Sequence, residues 1–304
     1  MSSALTNNSM AAARYMIFAM MVIALVDNFI VIVAETSSLW QFFLLRAAMI
    51  IPMIAALSMF GLGSMRAKSL WRVATRSGLL AIGMLFYFGA LGFVSIAQAL
   101  AGLFTAPIFV LLITAFLLKR RVGPRRIFAV AFGFAGILLV IGPNFNELGW
   151  PIVMPVLGGL FYACGSIATR ELCEGEENFS MLAATFIIQA ILGIIGIAVI
   201  SVLDISAPSG STGYLLRGFV WPLPEALPYI FASAVGSVIG VSYLIRAYQV
   251  AEASIVTVYE YSIFIFGPFF AWMLWGQSIQ LVEAAGIVMV AAAGTIIAFR
   301  SEDS

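Results

Sequence analysis

The chain has 304 residues, of which 63% are hydrophobic and 10% charged, with a formal net charge of +1. Soluble globular chains run at roughly 45–50% apolar and about 25% charged residues, so the composition excludes an ordinary soluble fold and points to lipid as the solvent. It offers no basic stripe on a polar surface for nucleic acid. The expected partners are the lipid bilayer and a small-molecule substrate, with a homodimer left open.

A helix needs about 20 mostly apolar residues to cross the hydrocarbon. Runs of that kind fall at roughly 13–34, 40–60, 76–95, 98–118, 125–142, 150–169, 180–203, 226–247, 253–275 and 281–299. They predict an all-α integral membrane protein with ten transmembrane helices. The short polar start, Met1 to Ala13, leads into a first span too long for a signal-peptide core, so that span reads as retained. From Ser77 to Leu118 there is no charge, yet this stretch is about twice what one span needs. It must fold back, and Ser95 and Gln98 mark the hairpin.

Lysine and arginine concentrate in cytoplasmic loops. Arg66, Lys68, Arg72 and Arg76 lie between spans two and three, and Lys119, Arg120, Arg121, Arg125 and Arg126 between spans four and five. Arg14, Arg170, Arg246 and Arg300 fall on the same side if both termini are cytoplasmic. Arg217 is the exception, in the Pro/Gly/Ser-rich segment 204–225. The expected location is a bacterial inner membrane, with multiple passes and both termini inside.

Two stretches resemble each other: Ser95-Ile-Ala-Gln-Ala99 opening span four and Gln249-Val-Ala-Glu-Ala253 opening span nine. Each precedes an apolar helix, a polar connection and a Gly/Ala-rich helix. Five spans per half is odd, so the second half must enter the membrane in the opposite sense, the pattern of inverted-repeat transporters. The predicted units are residues 1–147 and 148–304. Gly133, Gly136, Gly158, Gly159, Gly236 and Gly240 mark close helix contacts, because small residues drive association where lipid offers no hydrophobic force. Pro52, Pro107, Pro155 and Pro268 lie inside spans, where each removes a backbone hydrogen bond. The tryptophans, Trp40 and Trp71 among them, fall near span ends and read as interfacial anchors.

The chain resembles the EamA-type proteins of the drug/metabolite transporter superfamily over essentially its whole length. The likeness rests on Leu39-Trp-Gln-Phe-Phe-Leu-Leu-Arg46, Gly102-Leu-Phe-Thr-Ala-Pro-Ile-Phe109, Phe161-Tyr-Ala, Val258-Tyr-Glu-Tyr261 and Leu274-Trp-Gly-Gln277. The resemblance implies ten helices as two inverted five-helix repeats, and movement of metabolites across the inner membrane. Members are similar to amino-acid exporters and to importers of riboflavin or S-adenosylmethionine. This chain departs from the family at Lys119-Arg120, where a Gly-Glu is frequent, and at Gln277, where a Glu is frequent.

An ionisable side chain inside a span costs about 2.5–3.5 kcal/mol on insertion scales, so it faces a cavity or a partner. Glu260 lies near mid-membrane between Tyr259 and Tyr261. It is a candidate amine or proton-coupling site, or else a structural partner of Arg46. Arg46 itself is a candidate partner for a substrate acid group, or else pairs with Asp27 or Glu260, or snorkels outward. Asp27, beside Asn28, lies past the middle of span one. Arg246 and Glu252 read as an end-of-helix pair. Tyr87, Tyr162, Tyr259 and Tyr261 complete the substrate-binding candidates, because a mid-span hydroxyl wants a partner. Gln98 and Gln189 are weaker ones.

The leading function is a secondary transporter that moves a small polar or zwitterionic metabolite, an amino acid or related compound, by alternating access. The alternatives are a riboflavin- or S-adenosylmethionine-type importer and, in another class, a passive channel or assembly subunit. An intramembrane enzyme is not expected. The chain has no histidine for a zinc or serine protease site and no second intramembrane aspartate. Two free thiols, Cys164 and Cys173, lack metal spacing, so neither a metal nor a cofactor is expected.

Overall fold

The computed structural model describes residues 8–91, 93–94, 96–141, 150–203, 205–276 and 280–298. Ser95, Gln277, Arg300 and the boundary expected at 147/148 lie outside them. The described residues form helices and connecting turns, without strands. In chain order the helices are α1 (Ser9–Asp27), α2 (Ile30–Thr36), α3 (Leu39–Met59), α4 (Leu70–Ala90), α5 (Ile96–Leu103), α6 (Ala106–Leu112), α7 (Pro124–Ile141), α8 (Val153–Glu171), α9 (Asn178–Leu203), α10 (Leu227–Val250), α11 (Ala253–Glu260), α12 (Ile263–Trp275) and α13 (Leu281–Ala298). A π-helical turn, Ile113–Leu117, extends α6.

Among the described residues seven helical stretches are long and apolar enough to cross a membrane: Ser9–Thr36, Leu39–Met59, Leu70–Ala90, Gln98–Leu117, Asn178–Leu203, Leu227–Val250 and Ala253–Leu274. Three of the seven are broken within their length, and in each a local side chain contributes. Asn28 Nδ2 donates to the Ala24 carbonyl (2.8 Å) at the α1–α2 break. Thr105 Oγ1 donates to Gly102 (2.6 Å) between α5 and α6, where Pro107 also lacks the N–H that would reach back to Leu103. Ser262 Oγ donates to Tyr259 (2.7 Å) between α11 and α12. Short polar side chains compete with the helix ladder for carbonyls, and irregular backbone at this depth is tolerated where it lines a cavity.

The closest helix pairs are α4 with α8, α7 with α13, α1 with α10, and α3 with α9. Glycine lies at all four of these approaches, and two show how it acts. A Cβ built on Gly83 would lie 3.0 Å from the Gly158 carbonyl oxygen, and one on Gly158 would lie 3.0 Å from that of Gly83, so backbone meets backbone between α4 and α8. A Cβ on Gly236 of α10 would strike Val26 of α1. The outer face of α9 is apolar and exposed through Ile187, Ile191, Ile194, Ile195 and Val199. Its inner face buries Leu182, Phe186, Gln189 and Gly193. A helix that is apolar all round, with one face exposed, is one solvated by lipid.

The two ends of the bundle differ in charge. At the basic end Arg120 donates to both oxygens of Glu171 (2.6 and 2.8 Å), which holds its guanidinium above the ordinary arginine value. Arg126 bonds Glu252 (2.9 Å) and Ser254 (2.7 Å), so Glu252 pairs across helices, while Arg246 reaches Gln249 at 3.5 Å. The Glu176 carboxylate accepts from the amides of Lys68 (2.8 Å) and Ser69 (2.7 Å), fastening the turn that leads into α4. At the other end the exceptional Arg217 is absorbed by backbone carbonyls of Ala34, Ser37 and Gly210. Trp40 is half-buried, its ring packing on Gly196 and its Nε1 donating to Leu215 (2.8 Å). By contrast, Trp71, Trp221 and Trp272 are exposed.

Candidate substrate site

A cavity of about 130 Å³ lies where the broken helices meet. Each break brings lining residues to it: Asp27 ends α1, Phe104 sits between α5 and α6, and Glu260 ends α11. Unbroken helices add Arg46, Tyr87, Phe88, Tyr162, Thr185, Phe186, Gln189, Ser233 and Ser237. The lining is largely apolar and aromatic, with two carboxylates and one guanidinium in it.

Glu260 is 1% exposed. Its Oε1 accepts hydrogen bonds from two phenols, Tyr248 (2.6 Å) and Tyr162 (2.8 Å). Its Oε2 has no hydrogen-bond partner among the described residues. A carboxylate tied down through one oxygen keeps its other lone pairs for a further donor.

Arg46 is 7% exposed and forms no ion pair with Asp27 or Glu260. Its guanidinium lies over the rings of Phe42 (4.7 Å), Phe186 (5.0 Å) and Phe88 (5.8 Å), within cation–π range. One terminal nitrogen donates to Gln189 Oε1 (3.1 Å), and Nε has no hydrogen-bond partner among the described residues. Aromatic faces and an amide stabilise the charge without neutralising it, so it remains available to an anionic group.

Of the candidates read from the sequence, Asp27, Arg46, Tyr87, Tyr162 and Glu260 line this one cavity. Tyr259 and Tyr261 are not among its lining residues. Tyr261 is fully buried, and its ring fills the space a Cβ on Gly133 would take. Tyr248 is not among the sequence candidates; it lies near the end of α10, just outside the predicted span 226–247. Its role follows from the tight turn into α11, which returns the chain so that Glu260 meets it. Gln189 gains a definite place beside Arg46.

No family model matches the chain. It is similar to a riboflavin transporter of Rhizobium johnstonii, 28% identical over 204 residues that span 67% of this chain and 62% of that protein. It is also similar to a pseudopaline exporter of Pseudomonas aeruginosa, 24% identical over 216 residues that span 70% of this chain and 69% of that protein. A crystal structure 17% identical superposes with a TM-score of 0.76, covering 96% of this chain and 98% of its own, so the fold is one already solved. The likeness in sequence is to membrane transporters and not to enzymes.

Proposed function

We propose that the chain is a secondary transporter of the EamA type within the drug/metabolite transporter superfamily, moving a small zwitterionic metabolite by alternating access. The observation that carries this is the cavity with two buried, unsatisfied polar atoms of opposite character on its lining residues, Glu260 Oε2 and Arg46 Nε. An amine would meet Glu260, an acid group Arg46, and the substrate's apolar body the ring faces between. Asp27, Tyr87 and Tyr162 line the same space. Tyr259 and Tyr261 then act from behind it, on α11 and at its break.

Ten spans in two inverted halves are part of the proposal, with residues 1–147 and 148–304 as the units. Helix pairing supports it. If each span has its counterpart five spans later, α4 against α8 is the mate of α10 against α1, and α4 against α9 is the mate of α10 against α3; all four contacts are present. The broken span of α5 and α6 then corresponds to that of α11 and α12, and both opening halves have eight residues. The basic end is cytoplasmic by the charge rule, which puts both termini inside. Halves related in this way can rock about a midplane site.

A riboflavin- or S-adenosylmethionine-type importer is the second reading, favoured by the riboflavin transporter relative. Against it, drug-sized ligands occupy pockets of roughly 300–1,000 Å³, and this cavity is about 130 Å³. Thermal stabilisation of the purified protein across a metabolite library decides between them. A small amino acid or related zwitterion should stabilise it most. Stabilisation by riboflavin alone would select the other cargo, and single-channel current in a bilayer would select a channel instead. Transport of the stabilising compound into liposomes, with and without a proton gradient, then tests coupling.

A further inference from the structure

Arg76 lies two turns into α4 and is fully buried. Its charge had been assigned to the cytoplasmic loop signal, which does not require burial. No carboxylate forms an ion pair with it among the described residues. Nε donates to Thr169 Oγ1 (2.8 Å) and one terminal nitrogen to Thr185 Oγ1 (3.0 Å), with a longer contact to the Met181 carbonyl (3.5 Å). The other terminal nitrogen, Nη2, has no partner. Both threonines donate their own protons backward along their helices, to Gly165 and Met181 (2.9 Å each). Their lone pairs are therefore turned toward the guanidinium, and two helices are shaped to hold it.

The two threonines face different spaces. Thr185 lines the central cavity. Thr169 lines a second cavity of about 640 Å³ at the basic end, together with Arg170, Cys173, Arg246 and Gln249. Arg76 lines neither cavity itself but bonds one lining threonine of each, which puts it in the partition between them. Burying a cation without an anion is expensive even when hydroxyls solvate it, and intramembrane charges of this kind mark ion and substrate paths.

We infer that Arg76 is a second binding point for the substrate's acid group, the one the substrate meets between the central cavity and the basic-end cavity, and that it makes this passage selective for anionic groups over cations. The inference rests on the transport reading above. Arg46 holds the acid group in the centre, and Arg76 Nη2 receives it on the way in or out.

The test needs no knowledge of the cargo. In a Cys164→Ser, Cys173→Ser background, Ser237→Cys places a thiol on the central cavity. Inside-out vesicles are treated with the anionic sulfonatoethyl or the cationic trimethylammonioethyl methanethiosulfonate reagent, and each rate is divided by that for a free thiol. The anionic reagent should react about tenfold faster than the cationic one, in low salt and in 0.5 M salt, since about 0.5 M salt screens surface arginines but not a buried one. Arg76→Gln should bring the ratio close to one, and Arg76→Lys should keep most of it. A wild-type ratio near one, or one that vanishes in high salt, overturns the inference whether or not Arg76→Gln folds, and so does a ratio that Arg76→Gln leaves unchanged. If neither reagent reaches the thiol from the basic end while both reach it from the other side, alternating access itself fails. If the thiol is reached from both sides without charge preference, the role of Arg76 alone fails.

Discussion

Replacing Glu260 with glutamine removes a charge while keeping the shape of the group. The amide oxygen can take the place of Oε1 and still accept from Tyr248 and Tyr162, at 2.6 and 2.8 Å in the parent. The amide nitrogen takes the place of Oε2, which has no hydrogen-bond partner among the described residues. The fold therefore loses part of two charge-assisted hydrogen bonds. The bound amine loses its acceptor outright, because two donors now face each other. A hydrogen bond to a charged group contributes about 1.5–3 kcal/mol, and 1.4 kcal/mol is tenfold in affinity. Glu260→Gln should thus weaken binding of the best-stabilising amine-bearing compound by about ten- to hundredfold. The assay is isothermal titration of the purified variant with that compound, alongside a melting curve without ligand. A folded variant that binds it with the parent's dissociation constant would refute the assignment of Glu260 to the amine.

Further outcomes follow from the same geometry. Tyr248→Phe removes one donor from Glu260, and an about 1.5–3 kcal/mol loss of stability, read from melting in detergent, is expected; no loss would mean the tyrosine does not orient the carboxylate. Gln189→Leu leaves the Arg46 guanidinium with ring faces alone, so uptake into liposomes should fall more for an acid-bearing compound than for its amide. Equal effects on both would remove Arg46 from acid recognition. Gly158→Leu must push α8 from α4 at the 3.0 Å backbone approach, and overpacking of this kind costs about 1–3 kcal/mol; an unchanged melting temperature would argue against that contact. Glu176→Ala frees the turn before α4 at Lys68 and Ser69, costing about 1.5–3 kcal/mol. It should also speed maleimide labelling of Cys173, whose thiol is buried and pushed up by that burial, and a labelling rate equal to the parent's would count against Glu176 as a fastening of the basic end.

Much of the site could be read from residue chemistry, because a charge inside an apolar run has few reasons to be there. Glu260, Arg46 and Asp27 stood out on that ground, and the fold gathers them around one cavity without pairing Arg46 to either carboxylate. Arg76 did not stand out, since a basic residue near a span end satisfies the loop rule wherever its side chain points. Tyr248 shows the same limit: it lies beside a predicted boundary, yet it bonds the central carboxylate. Tyr261 reads as a mid-span candidate for the substrate, yet its ring packs against Gly133 of α7.

By itself the sequence determined the solvent, the approximate places of the helices and the asymmetry of charge. Each depends on composition within a single segment, and the apolar length needed to cross lipid is a property of one helix. The breaks in α1–α2, α5–α6 and α11–α12, the convergence of their ends on one cavity, and the partner each buried charge receives were decided by tertiary structure. Those features depend on which faces of distant helices meet. A run of apolar residues specifies that it will be buried or lipid-facing but does not name its neighbour.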